Sequence, residues 1–135
     1  MTRQARQRMH QSAFRERVLR AYQTQCSLCR LRHEALLDAA HIVPDTEPMG
    51  EPTVRNGLAL CKIHHAAYDR MFIGIRPDRI VVIRRDVLEE TDGPMLQHGL
   101  KDMHGAKIHV PRSAKTRPAG EFLEWRFNRF LERQG

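Results

Sequence analysis

Three cysteines and one histidine are spaced along the chain as a complete ligand set for one zinc ion. Cys26 and Cys29 form a CxxC pair, and Cys61 and His64 form a CxxH pair further along the chain. Three thiolates and one imidazole complete the tetrahedral set of a structural zinc site. His33 is a rival for the fourth position, although it lacks the CxxH spacing. The alternative interpretation is three buried free thiols without a metal.

Two further histidines and one asparagine accompany these pairs. His41 stands in the apolar segment 37–44, where a histidine taken alone is best explained as a core residue. Asn56 follows it, and His65 comes directly after His64, outside the zinc set. The order is therefore histidine, asparagine, histidine. A spare imidazole beside a closed zinc site calls for a role of its own.

This order resembles the motif of HNH endonucleases of the restriction type. The blocks that carry the resemblance are 37–44, 56–61 and 64–69, and the flanking blocks are 14–22, 105–111 and 123–126. Together they extend from about Arg8 to Phe130. The resemblance implies an α+β fold, the ββα-metal or His-Me finger, stapled by a structural zinc. An N-terminal helix, a C-terminal helix and a short β-hairpin would flank it.

The same resemblance implies a role for each residue of the motif. His41 would be the general base that takes a proton from the attacking water, a task that suits a neutral imidazole near pH 7. Asn56 would bond to the backbone or hold the loop so that His41 points correctly. His65 would ligate a catalytic divalent cation. Mg²⁺ or Mn²⁺ is expected there, and a nitrogen ligand also tolerates Ni²⁺, Co²⁺ or Zn²⁺.

The cation needs further protein ligands, and two aspartates are candidates. Asp69 lies one helical turn after His65, so both side chains would share a helix face. The alternative for Asp69 is a helix-end or salt-bridge role. Many HNH relatives carry Asp or His immediately before the general base, where this chain has Ala40. Asp38 would share the face of Ala40 on a strand, as a substitute ligand or as a structural residue.

The chain is strongly basic, with a net charge of +7 and a pI near 10.0. Residues 1–33 contain eight arginines and one acid, Glu16. Arginine binds phosphate through two parallel hydrogen bonds, so this composition favours a nucleic-acid-binding surface. A solvated basic helix would have the same composition. The candidates for phosphate contacts are Arg15, Arg17, Arg55 and Arg70.

The 135 residues are enough for one domain, which we expect to span residues 1–135. Its HNH core would be 26–75, preceded by a basic helix at 10–24 and followed by a C-terminal extension, 76–135. Further predictions are a strand at 36–43, an extended segment becoming a helix within 58–71, a hairpin of 72–75 and 79–83, irregular structure at 91–105, a strand at 106–110 and a closing helix at 121–133.

The sequence gives no reason to expect a membrane partner. No apolar run approaches the roughly 20 residues that a membrane helix needs, and the N-terminus lacks the apolar stretch of a secretory signal. The proposed zinc site uses all three cysteines, which leaves none for a disulfide. This usage fits a reducing, cytoplasmic environment.

The leading hypothesis is a metal-dependent endonuclease that hydrolyses DNA phosphodiester bonds in restriction or DNA defence. The alternatives are a zinc-stapled DNA-binding module without activity and a nuclease that acts on RNA. Because each HNH site makes one cut, a double-strand break would favour a homodimer. The resemblance allows for a separate recognition domain, since restriction-type HNH domains often accompany one, and the alternative is a stand-alone nicking or non-specific nuclease. No pattern in this chain reads base edges recognisably.

Overall fold

The computed structural model describes residues 2–134, which contain four α-helices and two small antiparallel sheets. In chain order the elements are α1 (Arg3–Ala21), β1 (Leu37–His41), β2 (Gly57–Cys61), α2 (Lys62–Asp69), β3 (Ile73–Ile75), β4 (Val81–Ile83), α3 (Arg85–Glu89) and α4 (Gly120–Glu132). This confirms the expected mixture of helices and strands in one small domain. None of the helices in residues 2–134 is long and apolar enough to cross a membrane.

The sheet of β1 and β2 carries the motif residues and leads directly into α2. The strands pair in the register Leu37 with Cys61 and His41 with Gly57. Every residue of β2 is buried, because α1 and α2 both pack on this sheet. A strand covered in this way tolerates the continuous apolar run of its sequence. The hairpin therefore brings His41 opposite the start of β2, and α2 begins immediately after Cys61.

Close packing of α1 against the first sheet depends on Gly57. Phe14, Val18 and Tyr22 follow one another at four-residue intervals and are all buried. A Cβ atom at Gly57 would lie 2.4 Å from Cγ2 of Val18 and 3.1 Å from Cζ of Phe14. The Tyr22 hydroxyl also donates a hydrogen bond to the Gly57 carbonyl at 3.0 Å. The glycine opposite His41 thus lets α1 contact the strand pair directly.

The second sheet and α4 close the other side of the core. The β3–β4 pair lies at the predicted hairpin, and α4 packs on β3. A Cβ atom at Gly74 would lie only 2.5 Å from the ring of Phe130, so this glycine also permits a close approach. Residues 95–100 form a π-helix and 101–103 a 3-10 turn, where irregular structure with one helical turn was expected.

Three elements differ clearly from the sequence-based predictions. The N-terminal helix starts at Arg3, because Thr2 caps it by accepting from the Ala5 amide at 3.0 Å and the following residues are good helix formers. The expected strand at 106–110 makes only one isolated bridge, between Ile80 and Lys107. The short α3, Arg85–Glu89, was not predicted, since a single turn has too few residues to show a helical period.

Candidate active site and metal centre

The three cysteines and His64 converge on one point. Sγ of Cys29 and Sγ of Cys61 are 4.0 Å apart, and Nδ1 of His64 lies 3.6 Å from Sγ of Cys26 and 3.3 Å from Sγ of Cys61. Ligands of a tetrahedral zinc ion, with bonds of about 2.0–2.3 Å, would be roughly 3.5–3.8 Å apart. The donor types and their spacing therefore fit a zinc ion. His33 is exposed and is not part of this cluster.

The imidazole of His64 is oriented from outside the cluster. Its Nε2 lies 2.6 Å from the carbonyl oxygen of Gly99, in the π-helical turn. A proton on Nε2, donated to that carbonyl, leaves the lone pair of Nδ1 facing the thiols. Metal-binding histidines are commonly fixed by such a bond on the second nitrogen. The C-terminal extension therefore contributes to the geometry of the cluster.

His41, the expected general base, lies at the end of β1 with its ring against α1. The rings of His41 and Phe14 stack with centroids 4.2 Å apart and an interplanar angle of 14°. Its ring nitrogens have no hydrogen-bond partner among residues 2–134, so stacking orients the imidazole. Burial lowers the pKa of His41 below its ordinary value, and His65 acts in the same direction, while Asp45 and Asp69 oppose the shift.

Asn56 is fully buried and bonds to the segment that follows His41. Its amide nitrogen donates to the carbonyls of Val43 and Glu51 at 2.9 Å, and its Oδ1 accepts from the Val43 amide at 2.9 Å. The Asn56 carbonyl in turn accepts from the Ile42 amide at 2.9 Å. These bonds fix the backbone immediately beyond the candidate base.

His65 lies between two carboxylates. Its Nδ1 is 2.7 Å from Oδ2 of Asp38, and its Nε2 is 3.1 Å from Oδ2 of Asp69. The bond with Asp69 is the main cause that raises the pKa of His65, and Asp38 adds to it against burial. Asp38 also pairs with Lys62. Burial favours the neutral form of Asp38, but its bonds with His65 and Lys62 outweigh this and lower its pKa.

The two aspartates therefore contact opposite edges of one imidazole. The nitrogens of an imidazole ring point away from each other, so one ion can bind only one of them. In the described part of the chain, the ligand atoms of three or more residues converge only in the cysteine cluster. The expected set of Asp38, His65 and Asp69 is thus not assembled around one point. Ala40, the position at which the HNH resemblance led us to expect a ligand, is fully buried in the core.

One cleft brings the other candidate residues together. It has a volume of about 400 Å³, and its lining includes His41, His65, Asp69, Asp45 and Arg126. A second, smaller hollow beside α1 shares His41 and Asp45 with it. Asp38 lines a neighbouring hollow, which His41 and His65 also line. The candidate base, His65 and Asp69 therefore border the same cleft, and Asp38 does not line it.

The four arginines expected to contact phosphate have different environments. Arg15 donates to the carbonyls of Glu34 and Leu37 at 3.0 and 3.2 Å and so ties α1 to the start of β1. The Nε of Arg55 donates to a carbonyl of the C-terminal extension at 3.2 Å. Arg17 and Arg70 are exposed and make no side-chain hydrogen bond within residues 2–134. The second pair is therefore the freer one to contact a ligand.

Sequence reasoning gave no role to Phe14 as a platform for His41, to Asp45 or to Arg126. The block containing Arg126 was recognised as a flank of the motif, without a function. One signal was available: Phe122, Arg126 and Phe130 follow one another at four-residue intervals, so the arginine occupies a buried position of an apolar stripe. No comparable signal links Gly99 to His64.

The strand pair, the helix after it and the histidines they carry lie in one continuous segment of the chain. Residues 26–76 match the model of a protein family described as HNH endonuclease. This match confirms the resemblance predicted from the sequence. The matched segment contains both pairs of candidate zinc ligands and the residues His41, Asn56 and His65.

A solved structure with the same fold is that of a modification dependent TagI restriction endonuclease. It has a TM-score of 0.55 and 17% sequence identity to this chain, over 84% of this chain and 36% of that one. At this identity the similarity shows the fold alone. Because the match covers 36% of that enzyme, the chain spans about a third of its length. No curated protein matches the chain.

Proposed function

We propose that this chain is a metal-dependent endonuclease that hydrolyses phosphodiester bonds of DNA. The observation that carries the proposal is the cleft that His41, His65 and Asp69 line together, with Nε2 of His65 3.1 Å from Oδ2 of Asp69. A general base and a pair of cation ligands on one surface are the components that phosphodiester hydrolysis requires. The match of residues 26–76 to HNH endonucleases supports the same chemistry.

His41 is the proposed general base. It accepts a proton from the water that attacks phosphorus, while the bond from phosphorus to the 3′ oxygen breaks. Burial keeps the imidazole neutral near pH 7, as a base must be. The Phe14 ring limits its rotation, and the bonds of Asn56 to Val43 hold the backbone behind it. The proposed role of Asn56 is therefore to position the base.

His65 and Asp69 are the proposed ligands of the catalytic cation. The 3.1 Å separation between Nε2 and Oδ2 fits two adjacent positions on one ion, because ligands about 2.1 Å from Mg²⁺ at right angles are about 3.0 Å apart. Asp38 accepts the Nδ1 proton of His65 and orients the ring. Bound Mg²⁺ or Mn²⁺ supplies positive charge for the scissile phosphate and the leaving oxygen.

The cysteine cluster is proposed to bind zinc for stability rather than for chemistry. All four ligand positions are filled by protein side chains, which is typical of structural zinc sites. The cluster also joins the turn at Cys26 to the beginning of α2. A zinc ion bound to His64 would therefore help to hold the next residue, His65, at the edge of the cleft.

The positive net charge of the chain and its similarity to a restriction endonuclease both support DNA as the substrate. The net charge of +7 attracts a polyanion, and Arg17 and Arg70 offer exposed guanidinium groups. A role in restriction, with recognition by a domain outside this chain, fits the coverage of only 36% of a restriction endonuclease. A double-strand break would then need two copies of the site, as in a homodimer.

The test is cleavage of supercoiled plasmid by the purified protein. Each of Mg²⁺, Mn²⁺, Ni²⁺ and Co²⁺ is added separately, with a metal-free reaction and a structured RNA as comparisons. We expect nicked or linear DNA with 5′-phosphate ends in Mg²⁺ or Mn²⁺. Binding of DNA without cleavage in any metal would support the inactive zinc module instead. Faster cleavage of RNA than of DNA would contradict the proposed substrate.

A further inference from the structure

Arg126 is an arginine in a position where an apolar residue would be expected. It lies on α4, between the buried residues Phe122 and Phe130, and only 5% of its surface is exposed. Burial of a guanidinium is costly unless its hydrogen bonds are satisfied. The partners of this side chain therefore indicate what it does.

The guanidinium bonds to two backbone carbonyls from different parts of the HNH motif. Nη1 donates to the carbonyl of Ile42 at 2.9 Å, and Nη2 donates to the carbonyl of Tyr68 at 2.9 Å. Ile42 directly follows His41, and Tyr68 directly precedes Asp69. One planar group therefore spans the end of the strand with the candidate base and the end of the helix with a candidate cation ligand.

The same group also reaches the side chain of Asp69. Nη2 lies 3.5 Å from Oδ1 of Asp69, while Oδ2 of that carboxylate faces His65. The guanidinium carbon sits 4.3 Å from the centre of the Tyr68 ring, which holds the plane of the fork. Arg126 thus fixes both the backbone beneath Asp69 and the rotation of its carboxylate.

We propose that Arg126 is a positioning residue, which sets the separation between the general base His41 and the cation ligand Asp69. This inference rests on the proposed function of the cleft. A fork with several N–H groups can hold two carbonyls and a carboxylate at once, whereas the single ammonium of lysine cannot. The alternative role, a direct contact with the scissile phosphate, would leave the geometry of Asp69 unaffected and would weaken DNA binding.

The test compares Arg126→Lys with a matched control, Arg129→Lys. Arg129 lies on the same helix with its guanidinium 3.5 Å from the centre of the Trp125 ring, and it is not part of the cleft. Bound zinc and the melting temperature are measured first for all three proteins. Mn²⁺ binding is then followed by electron paramagnetic resonance without DNA. The turnover number and the KM for supercoiled plasmid are measured in saturating Mn²⁺, with nicked plasmid as the product that is quantified.

Loss of a residue that orients a ligand typically reduces metal affinity or activity by about 10–100-fold. We therefore expect Arg126→Lys to weaken Mn²⁺ binding and to lower kcat by about that factor, with KM and bound zinc unchanged. Arg129→Lys should resemble the wild type. The same comparison is then made in a protein that already carries Asp69→Asn. In that background Arg126→Lys should change Mn²⁺ binding much less, because both substitutions act at the same ligand.

Three results would overturn the inference. Wild-type Mn²⁺ binding and kcat in Arg126→Lys would show that the fork does not set the site. A raised KM with unchanged Mn²⁺ binding would assign Arg126 to phosphate contact. Unfolding of Arg126→Lys with loss of zinc would assign it to stability alone. Absence of cleavage by the wild type is a different result, since it contradicts the proposed function while the Mn²⁺ comparison still decides the role of Arg126.

Discussion

The stacking of Phe14 on His41 leads to a prediction about catalytic rate. Only 3% of Phe14 is exposed, and its ring lies nearly parallel to the imidazole, with the two ring centroids 4.2 Å apart. Replacement by alanine would open a cavity and cost about 3–5 kcal/mol of stability. A loss of cleavage could then come from unfolding as well as from a misplaced base. Phe14→Leu keeps most of the volume and removes the aromatic face. It therefore isolates the contribution of stacking to the orientation of the base.

The magnitude follows from the strength of an aromatic pair. Such pairs contribute about 0.5–1.5 kcal/mol beyond the area they bury. If that energy restricts His41 to its productive orientation, Phe14→Leu should lower the single-turnover cleavage rate by about 2- to 13-fold. The rate is measured on supercoiled plasmid in saturating Mn²⁺, so that binding of the cation does not limit it. Bound zinc should be unchanged.

The control is an aromatic pair of similar geometry outside the cleft. Phe127 stacks on Phe130 with centroids 5.7 Å apart, so Phe127→Leu removes a stacked ring without touching His41. We expect this variant to cleave at the wild-type rate after equal correction for folded fraction. A wild-type rate in Phe14→Leu, or an equal loss in both variants, would refute the role assigned to stacking.

Three further predictions follow from the two metal sites and the base. Cys26→Ala should lose zinc and be unfolded already at room temperature in a thermal melt. The apparent binding free energy of structural zinc is about 10–16 kcal/mol, whereas the free energy of unfolding of a whole domain is about 5–15 kcal/mol. A stable zinc-free protein would contradict this. Asp69→Asn should weaken Mn²⁺ binding more than Asp38→Asn, measured by titration, and the reverse order would place the cation on the Asp38 edge. Burial lowers the pKa of His41 below 6.5 and only the neutral ring accepts a proton. With enough Mn²⁺ to saturate His65 and Asp69 at every pH, the cleavage rate should therefore fall with a midpoint below pH 6.5, and a midpoint above pH 6.5 would contradict a lowered pKa of His41.

The parts of the fold with a local signal were predicted from the sequence. The CxxC and CxxH spacings identified four side chains that converge in the structure and could hold a metal ion. The strand predicted at 36–43 and the extended segment that becomes a helix within 58–71 correspond to β1, β2 and α2. Each of these signals depends on residues that are close in sequence, where period and spacing reflect geometry directly.

The contacts that complete the cleft join segments that are far apart in sequence. The stacking of Phe14 on His41 depends on how α1 approaches Gly57, which no local period records. The bond of Arg126 to the Ile42 carbonyl joins residues separated by 84 positions. Gly99 meets His64 through a backbone carbonyl, which leaves no trace in residue type. Such contacts depend on packing rather than on pattern.

The burial of Ala40 explains why the ligand set could not be deduced by analogy with HNH endonucleases. Ala40 is fully buried, so a carboxylate at that position would lie in the core of this protein. The sequence suggested Asp38 as the substitute, on the assumption that it would share that face and reach the ion. The structure places Asp38 against Nδ1 of His65 and beside Lys62 instead. This contact suits an orienting partner better than a cation ligand.

The most direct test of the central claim compares single-turnover plasmid cleavage by the wild type, His41→Ala and His33→Ala in saturating Mn²⁺. His33 is exposed and outside both proposed metal sites, which makes it a histidine control. A general base contributes about 10²- to 10⁴-fold, so His41→Ala should lose at least a hundredfold in rate while keeping zinc, fold and Mn²⁺ binding. His33→Ala should cleave normally. Equal cleavage by the wild type and His41→Ala would contradict the account.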